Sequence, residues 1–159
     1  MNVATGKIDQ YVPLRKSNGK YIISWGLSPN GKDSYKWMYF ISDLKPTLES
    51  IRNEIESYIN NETKKAISER FTWNGMSIFL SMENQIDYKL LYDVTVMQDG
   101  ANLPAKLRFK VDGEYIYYEI ETIDEFKDFM IAMNNHIRTA LNSGYAKKES
   151  IDYNEYIQA

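Results

Sequence analysis

Apolar positions recur at two spacings along the chain, two residues in some stretches and three to four in others, and the changes of spacing divide it into four blocks. Residues 1–45 carry short runs rich in aromatic and β-branched side chains. Tyr21-Ile22-Ile23-Ser24-Trp25 and Tyr35-Lys36-Trp37-Met38-Tyr39-Phe40-Ile41 flank the turn-rich Ser28-Pro29-Asn30-Gly31-Lys32-Asp33. That pattern predicts an antiparallel hairpin with a long loop. Ahead of it, Gln10-Tyr11-Val12-Pro13-Leu14 reads as an extended arm.

The second block opens at Lys45-Pro46-Thr47, where Pro bars backward extension of a helix and Thr47 fits an N-cap. Leu48, Ile51, Ile55, Tyr58, Ile59 and Ala66 then follow helical spacing, opposite Glu49, Arg52, Asn53, Glu56 and Lys64. The third block holds Asn74-Gly75 between apolar runs, a two-residue turn signal because both positions favour positive φ. It predicts Trp73 opposite Met76 and Phe71 opposite Ile78. Ser81 caps a second predicted helix, with Ile86, Leu90, Val94 and Met97 on one stripe, Tyr88 and Tyr92 beside it, and Asp99-Gly100 at its end.

In the fourth block, Ala105–Val111 alternates with period two, Asp112-Gly113 turns, and Glu114–Ile120 returns. The register places Leu107 and Phe109 opposite Tyr118 and Ile116 on one face. The other face pairs Lys106 with Glu119, Arg108 with Tyr117 and Lys110 with Tyr115. Thr122-Ile123-Asp124-Glu125 forms a capping box for a last long helix, with Phe126, Phe129, Met130, Met133, Ile137, Ala140 and Leu141 on its stripe. Gly144 reads as its stop, and a short helical turn follows near 150–157. The fold class expected is α+β: antiparallel hairpins packed with two or three amphipathic helices, led by an aromatic hairpin. The expected division is 1–44, an arm and hairpin free to dock on a partner, and 45–159, the α+β domain.

Composition removes several chemistries. With no Cys and one His, the chain has no thiolate ligands, no Cys nucleophile and no multi-His metal set. His136 sits beside an apolar stripe, without a serine elbow elsewhere to make it catalytic. Glu83 and Asp87, and Asp124, Glu125 and Asp128, have ordinary explanations as helix-surface acids. No phosphate-cradling Gly motif is present. No catalytic residue, cofactor or metal is therefore expected, and the chain reads as non-enzymatic. Its 19 basic and 22 acidic residues give a charge of −3, without the basic footprint of a nucleic-acid binder. No apolar run approaches the ~20 residues of a membrane span, and Met1–Gly6 lacks a signal-peptide pattern. The expectation is no nucleic-acid or membrane partner, and no secretion by signal peptide.

The aromatic content, 13 Tyr, 6 Phe and 3 Trp, stands out. Tyr35, Trp37 and Tyr39 share one strand face, and Tyr115 and Tyr117 share another with Arg108. Such rows are covered by a helix, form a protein interface, or stack sugars or bases. Trp25, Tyr35, Trp37, Tyr39, Tyr115, Tyr117 and Arg108 are the candidate contact residues.

The succession Lys45-Pro46-Thr47-Leu48-Glu49-Ser50-Ile51, Phe71-Thr72-Trp73-Asn74-Gly75-Met76, Leu80-Ser81-Met82-Glu83-Asn84-Gln85, Leu103-Pro104 and Glu121-Thr122-Ile123-Asp124-Glu125-Phe126 resembles a domain of unknown function in tail-fibre and other tail-associated proteins of bacteriophages and prophages. The resemblance spans roughly residues 45–157. Gly6–Pro13 and the Trp-bearing hairpin are similar to the leader of short, stand-alone members from phages of gut bacteria. The resemblance assigns no catalytic residues. It implies a structural or assembly protein, in the virion or in the host bacterial cytoplasm during assembly. The implied partners are other virion or tail proteins and copies of itself, a trimer by analogy with fibres. The alternative is a glycan- or ligand-binding module using the Tyr and Trp rows.

Overall fold

The computed structural model describes residues 1–157. Among them are three α-helices and two antiparallel four-stranded sheets, an α+β fold. The chain forms two compact units, Met1–Asn61 with Gly144–Ala159, and Glu62–Ser143. These units differ from the expected division at 44/45, because the first part of α1 (Leu48–Glu69) packs with the N-terminal sheet. Both boundaries fall inside helices, α1 and α3 (Ile123–Glu149), the second at Gly144. Residues 158–159 of the expected 45–159 domain lie outside the described residues.

In the first unit the sheet order is β1 (Asn2–Gly6), β4 (Tyr35–Ser42), β3 (Lys20–Pro29), β2 (Leu14–Ser17). The expected hairpin is β3–β4. The expected arm is in fact structured: Ile8–Gln10 makes a 3-10 turn and Leu14 begins an edge strand. In β3 the register shifts between Trp25 and Ser28, where Gly26 adopts φ +68°. A β-bulge there needs a residue that tolerates positive φ. Ile23 and Trp25 pack on Ile51, Ile55 and Ile59 of α1, and Tyr156 closes this core. The Thr47 hydroxyl accepts from the Ser50 amide at 3.1 Å, the cap expected of it.

The second unit is built on a sheet of order β5 (Thr72–Trp73), β6 (Met76–Ser77), β7 (Ala105–Val111), β8 (Glu114–Ile120). Both two-residue turns take positive φ at both positions, Asn74 and Gly75, Asp112 and Gly113. This left-handed pair matches strand twist and fixes register. Trp73 opposes Met76, and all seven β7–β8 pairs fall as the alternation requires. The sheet's inner face gives Leu107, Phe109 and Ile120 to a core completed by Phe71, Phe126 and Phe129.

Ser81 caps α2 (Met82–Met97), accepting from the Asn84 amide. The apolar stripe read on this helix is not the face that packs. Ile86, Leu90, Val94 and Met97 are exposed, while Tyr88, Leu91, Tyr92 and Thr95 face the core. Both sides of α2 carry apolar side chains at helical spacing, so the period alone does not select a face. Burial of Thr95 is made tolerable by its hydroxyl donating to the Leu91 carbonyl at 2.8 Å.

α3 also departs from the expected ending. It runs through Gly144 to Glu149, because a buried Gly within a helix costs only about 1 kcal/mol relative to Ala and does not terminate it. Its start follows the expected Thr122 cap, whose Oγ1 accepts from the Glu125 amide at 3.1 Å, but the return bond of a capping box goes to the residue before the cap. The Glu125 carboxylate accepts from the Glu121 amide at 2.9 Å and from the Tyr118 hydroxyl. That last bond, first among its causes, pushes the Tyr118 phenol above its ordinary range. Glu125→Ala removes the shared acceptor of two donors. A loss of about 1–3 kcal/mol is expected, read from urea unfolding. An unchanged midpoint would show that solvent replaces these bonds without cost.

Candidate functional site

The outer face of β7–β8 is the surface where charge and exposed aromatic area coincide. Alternation directs Lys106, Arg108 and Lys110 of β7 outward, across from Glu119, Tyr117 and Tyr115 of β8. Tyr115 and Tyr117 are 63% and 67% exposed, so their rings are not covered by the chain's own helices. The Arg108 guanidinium lies 4.4 Å from the Tyr115 ring centroid, and the Lys110 ammonium lies 5.8 Å from it. These are cation–π distances, and they hold the flexible cationic side chains over one ring.

Charges on this face are unequal. Lys106 pairs with Glu119 at 2.9 Å, and that hydrogen bond raises the ammonium pKa. Among the described residues, no carboxylate lies within ion-pair distance of Arg108 or Lys110. Beside them opens a cleft of about 550 Å³ lined by Ser77, Asn84, Tyr88, Arg108, Lys110 and Tyr115, among others. Glu69 is the one carboxylate in its lining. Burial, then the Asp87 charge, pushes the Tyr88 phenol up, with Arg108 opposing, so Tyr88 stays a neutral hydrogen-bonding group there. The site thus offers two cations, a neutral phenol, an amide and an exposed ring. It has donors for an anionic surface.

The remaining sequence candidates fare differently. Trp25 and Trp37 are 6% and 7% exposed, and neither presents a free face. Trp25 meets Tyr58 of α1 edge-on at 5.6 Å. Trp37 is covered from the other side of the sheet: it pairs with Ala4 of β1, and Tyr11 meets it edge-on at 6.0 Å. Gly6 permits this cover, since a Cβ there would stand 3.1 Å from the Trp37 ring and far closer to the Gln10 amide. Tyr35 and Tyr39, half-buried, pair with Gly6 and Asn2. Trp37 at the centre of the first row is therefore covered by Tyr11 and the Gly6–Gln10 region, leaving Tyr35 and Tyr39 half-exposed, whereas Arg108, Tyr115 and Tyr117 come together at an open surface.

His136 is structural in its contacts. Its Nε2 lies 3.0 and 3.1 Å from the carbonyl oxygens of Ala66 and Ile67, in the last turns of α1, and its ring meets Phe71 at 5.3 Å. Nε2–H donating there satisfies carbonyls that a helix end leaves open. Among the described residues there is no group of three or more acidic or His side chains placed to hold a metal ion. No helix among them is long and apolar enough to cross a membrane. Sequence reasoning did not reach Asn84 and Tyr88 as neighbours of Arg108. Only the path of α2 past the sheet places them there. No protein-family model, curated protein or solved structure matches the chain.

Proposed function

We propose that the chain is a non-catalytic binding protein, which holds an acidic protein surface on the outer face of β7–β8. The observation that carries this reading is the exposed Tyr115 ring with Arg108 and Lys110 gathered on it and, among the described residues, no carboxylate paired to either. Charge-assisted bonds to carboxylates need such cations, and exposed Tyr adds contact area at small entropic cost. The setting is a phage virion or its assembly, tail- or fibre-associated, as the motif succession implies. A neutral glycan is the second reading. It is disfavoured at Tyr115, where Arg108 occupies a ring face on which a sugar would stack.

Calorimetry with a glutamate-rich peptide tests the reading. Binding that weakens with salt, and weakens at least tenfold in the Arg108→Ala, Lys110→Ala double variant, is expected. Binding unaffected by that double variant would overturn it. Binding of a neutral glucose oligosaccharide that is lost on Tyr117→Ala, with none of the peptide, would establish the glycan reading in its place.

A further inference from the structure

The exposed side of α2 carries an apolar ridge along its length, with Glu83 and Asp93 interspersed beside it. Met82 is 79%, Leu90 58% and Met97 82% exposed, and Ile86 and Val94 lie between them on the same stripe. At 100° per residue, this stripe lies almost opposite Leu91, Thr95 and Tyr88, which face the core. A helix apolar on both sides is normally one covered on both sides. Alongside the stripe runs an apolar groove of about 540 Å³ toward α3, where Ile131 is also exposed. All of these residues lie within the second unit.

We infer that this face is covered by the same face of a second copy of the chain, as an α2–α2′ dimer contact. Three observations select that occupant. First, Met82, Ile86, Leu90 and Val94 form a single i, i+4 ridge. Such a ridge fits the groove beside an identical ridge on a crossing helix, the commonest packing class. Second, the flanks of the stripe are of opposite sign. Glu83 and Asp87 lie toward one side, and Lys127 lies on the other, where the Lys89–Asp93 pair is itself neutral. A two-fold axis running roughly along the helices brings the acidic flank of one copy to the basic flank of its partner, so the surface complements itself. Third, the five α2 residues and Ile131 are each 41–82% exposed, which makes a contiguous apolar patch of the kind found at the centre of an interface. The contact is separate from the β7–β8 face and does not depend on the function proposed for it.

Sedimentation velocity and light scattering of the full chain, at roughly 5–200 µM, the weak end of the affinities that interfaces of standard size show, test the inference. The wild type is expected to move from monomer toward a mass twice that of the chain. Leu90→Glu, an exposed position that leaves the core intact, is expected to remain monomeric with unchanged far-ultraviolet circular dichroism. Lys127→Glu places acid against acid and is expected to weaken association at least tenfold. Adding Glu83→Lys and Asp87→Lys reverses both flanks and is expected to restore it. A wild-type monomer at the highest concentration, or a Leu90→Glu dimer as tight as wild type, would overturn the inference. A trimer would overturn the two-fold geometry.

Discussion

Phe129→Ala is expected to cost the chain about 3–5 kcal/mol, more than truncation of any residue at the rim of the same core. Phe129 is fully buried, and five aromatic rings surround it: Phe71, Trp73, Tyr88, Phe109 and Phe126, with centroids 5.4 to 6.2 Å away. Those rings come from the segment after α1, from β5, from α2, from β7 and from α3 itself. Their edge-on and tilted geometries depend on the ring at the centre. A methyl group in its place leaves a void that the flanking rings fill poorly, because each is fixed by its own strand or helix. For a chain of this size the melting temperature is expected to fall by roughly 10–15 °C. Calorimetry and near-ultraviolet circular dichroism check this. A shift below ~3 °C would mean that the aromatic cluster repacks, contrary to a core organised around this residue.

Alkaline pH is expected to weaken the first unit through two phenols. Tyr156 donates to the Ser24 carbonyl at 2.7 Å, and Tyr11 reaches the same oxygen at 3.4 Å. Burial, reinforced by the Glu155 charge, pushes Tyr11 up to about 12, and burial with the neighbouring Tyr11 phenol pushes Tyr156 up as well. The unfolded chain releases these protons near the ordinary Tyr value of ~10, while the folded chain retains them. Above that pH the unfolded state binds fewer protons, so stability falls as pH rises. The contribution is complete below about pH 10 and is lost as pH climbs through the folded value of about 12. Urea midpoints should be flat from pH 8 to 9.5 and then decline, with a late rise in phenolate absorbance accompanying unfolding. Tyr156→Phe leaves the Ser24 carbonyl with only the long Tyr11 bond. It is expected to lose about 1–3 kcal/mol at pH 8 and to show a shallower alkaline decline. An alkaline decline as steep as wild type would mean that Tyr156 does not govern this transition.

Local rules were legible wherever one or two residues decide the outcome. Asn74-Gly75 and Asp112-Gly113 set two hairpin registers because a two-residue loop allows no slip. Thr47, Ser81 and Thr122 set helix starts because their hydroxyls have an amide three residues on to accept from. What was not legible depends on contacts distant in sequence. β1 and β2 are edge strands with few buried side chains, so their sequences lack the alternation that marks a half-buried strand. The β1 strand decides the fate of Trp37, and the cover it provides has no signal in the sequence around Trp37. On α2, two apolar stripes compete and tertiary packing chooses between them. The outer β7–β8 face was legible as far as Arg108, Tyr115 and Tyr117. Its extension to Asn84 and Tyr88 arises from the fold.

Binding through the outer face of β7–β8 is the proposed action of the chain. Photo-crosslinking in the cells that make the protein tests it most directly, with benzoyl-phenylalanine replacing Tyr117 and, as reference, replacing exposed Lys64 on α1. One dominant adduct is expected from position 117, to another protein, with the yield reduced by Arg108→Ala. Adducts of equal yield from both positions, or none from position 117, would contradict it.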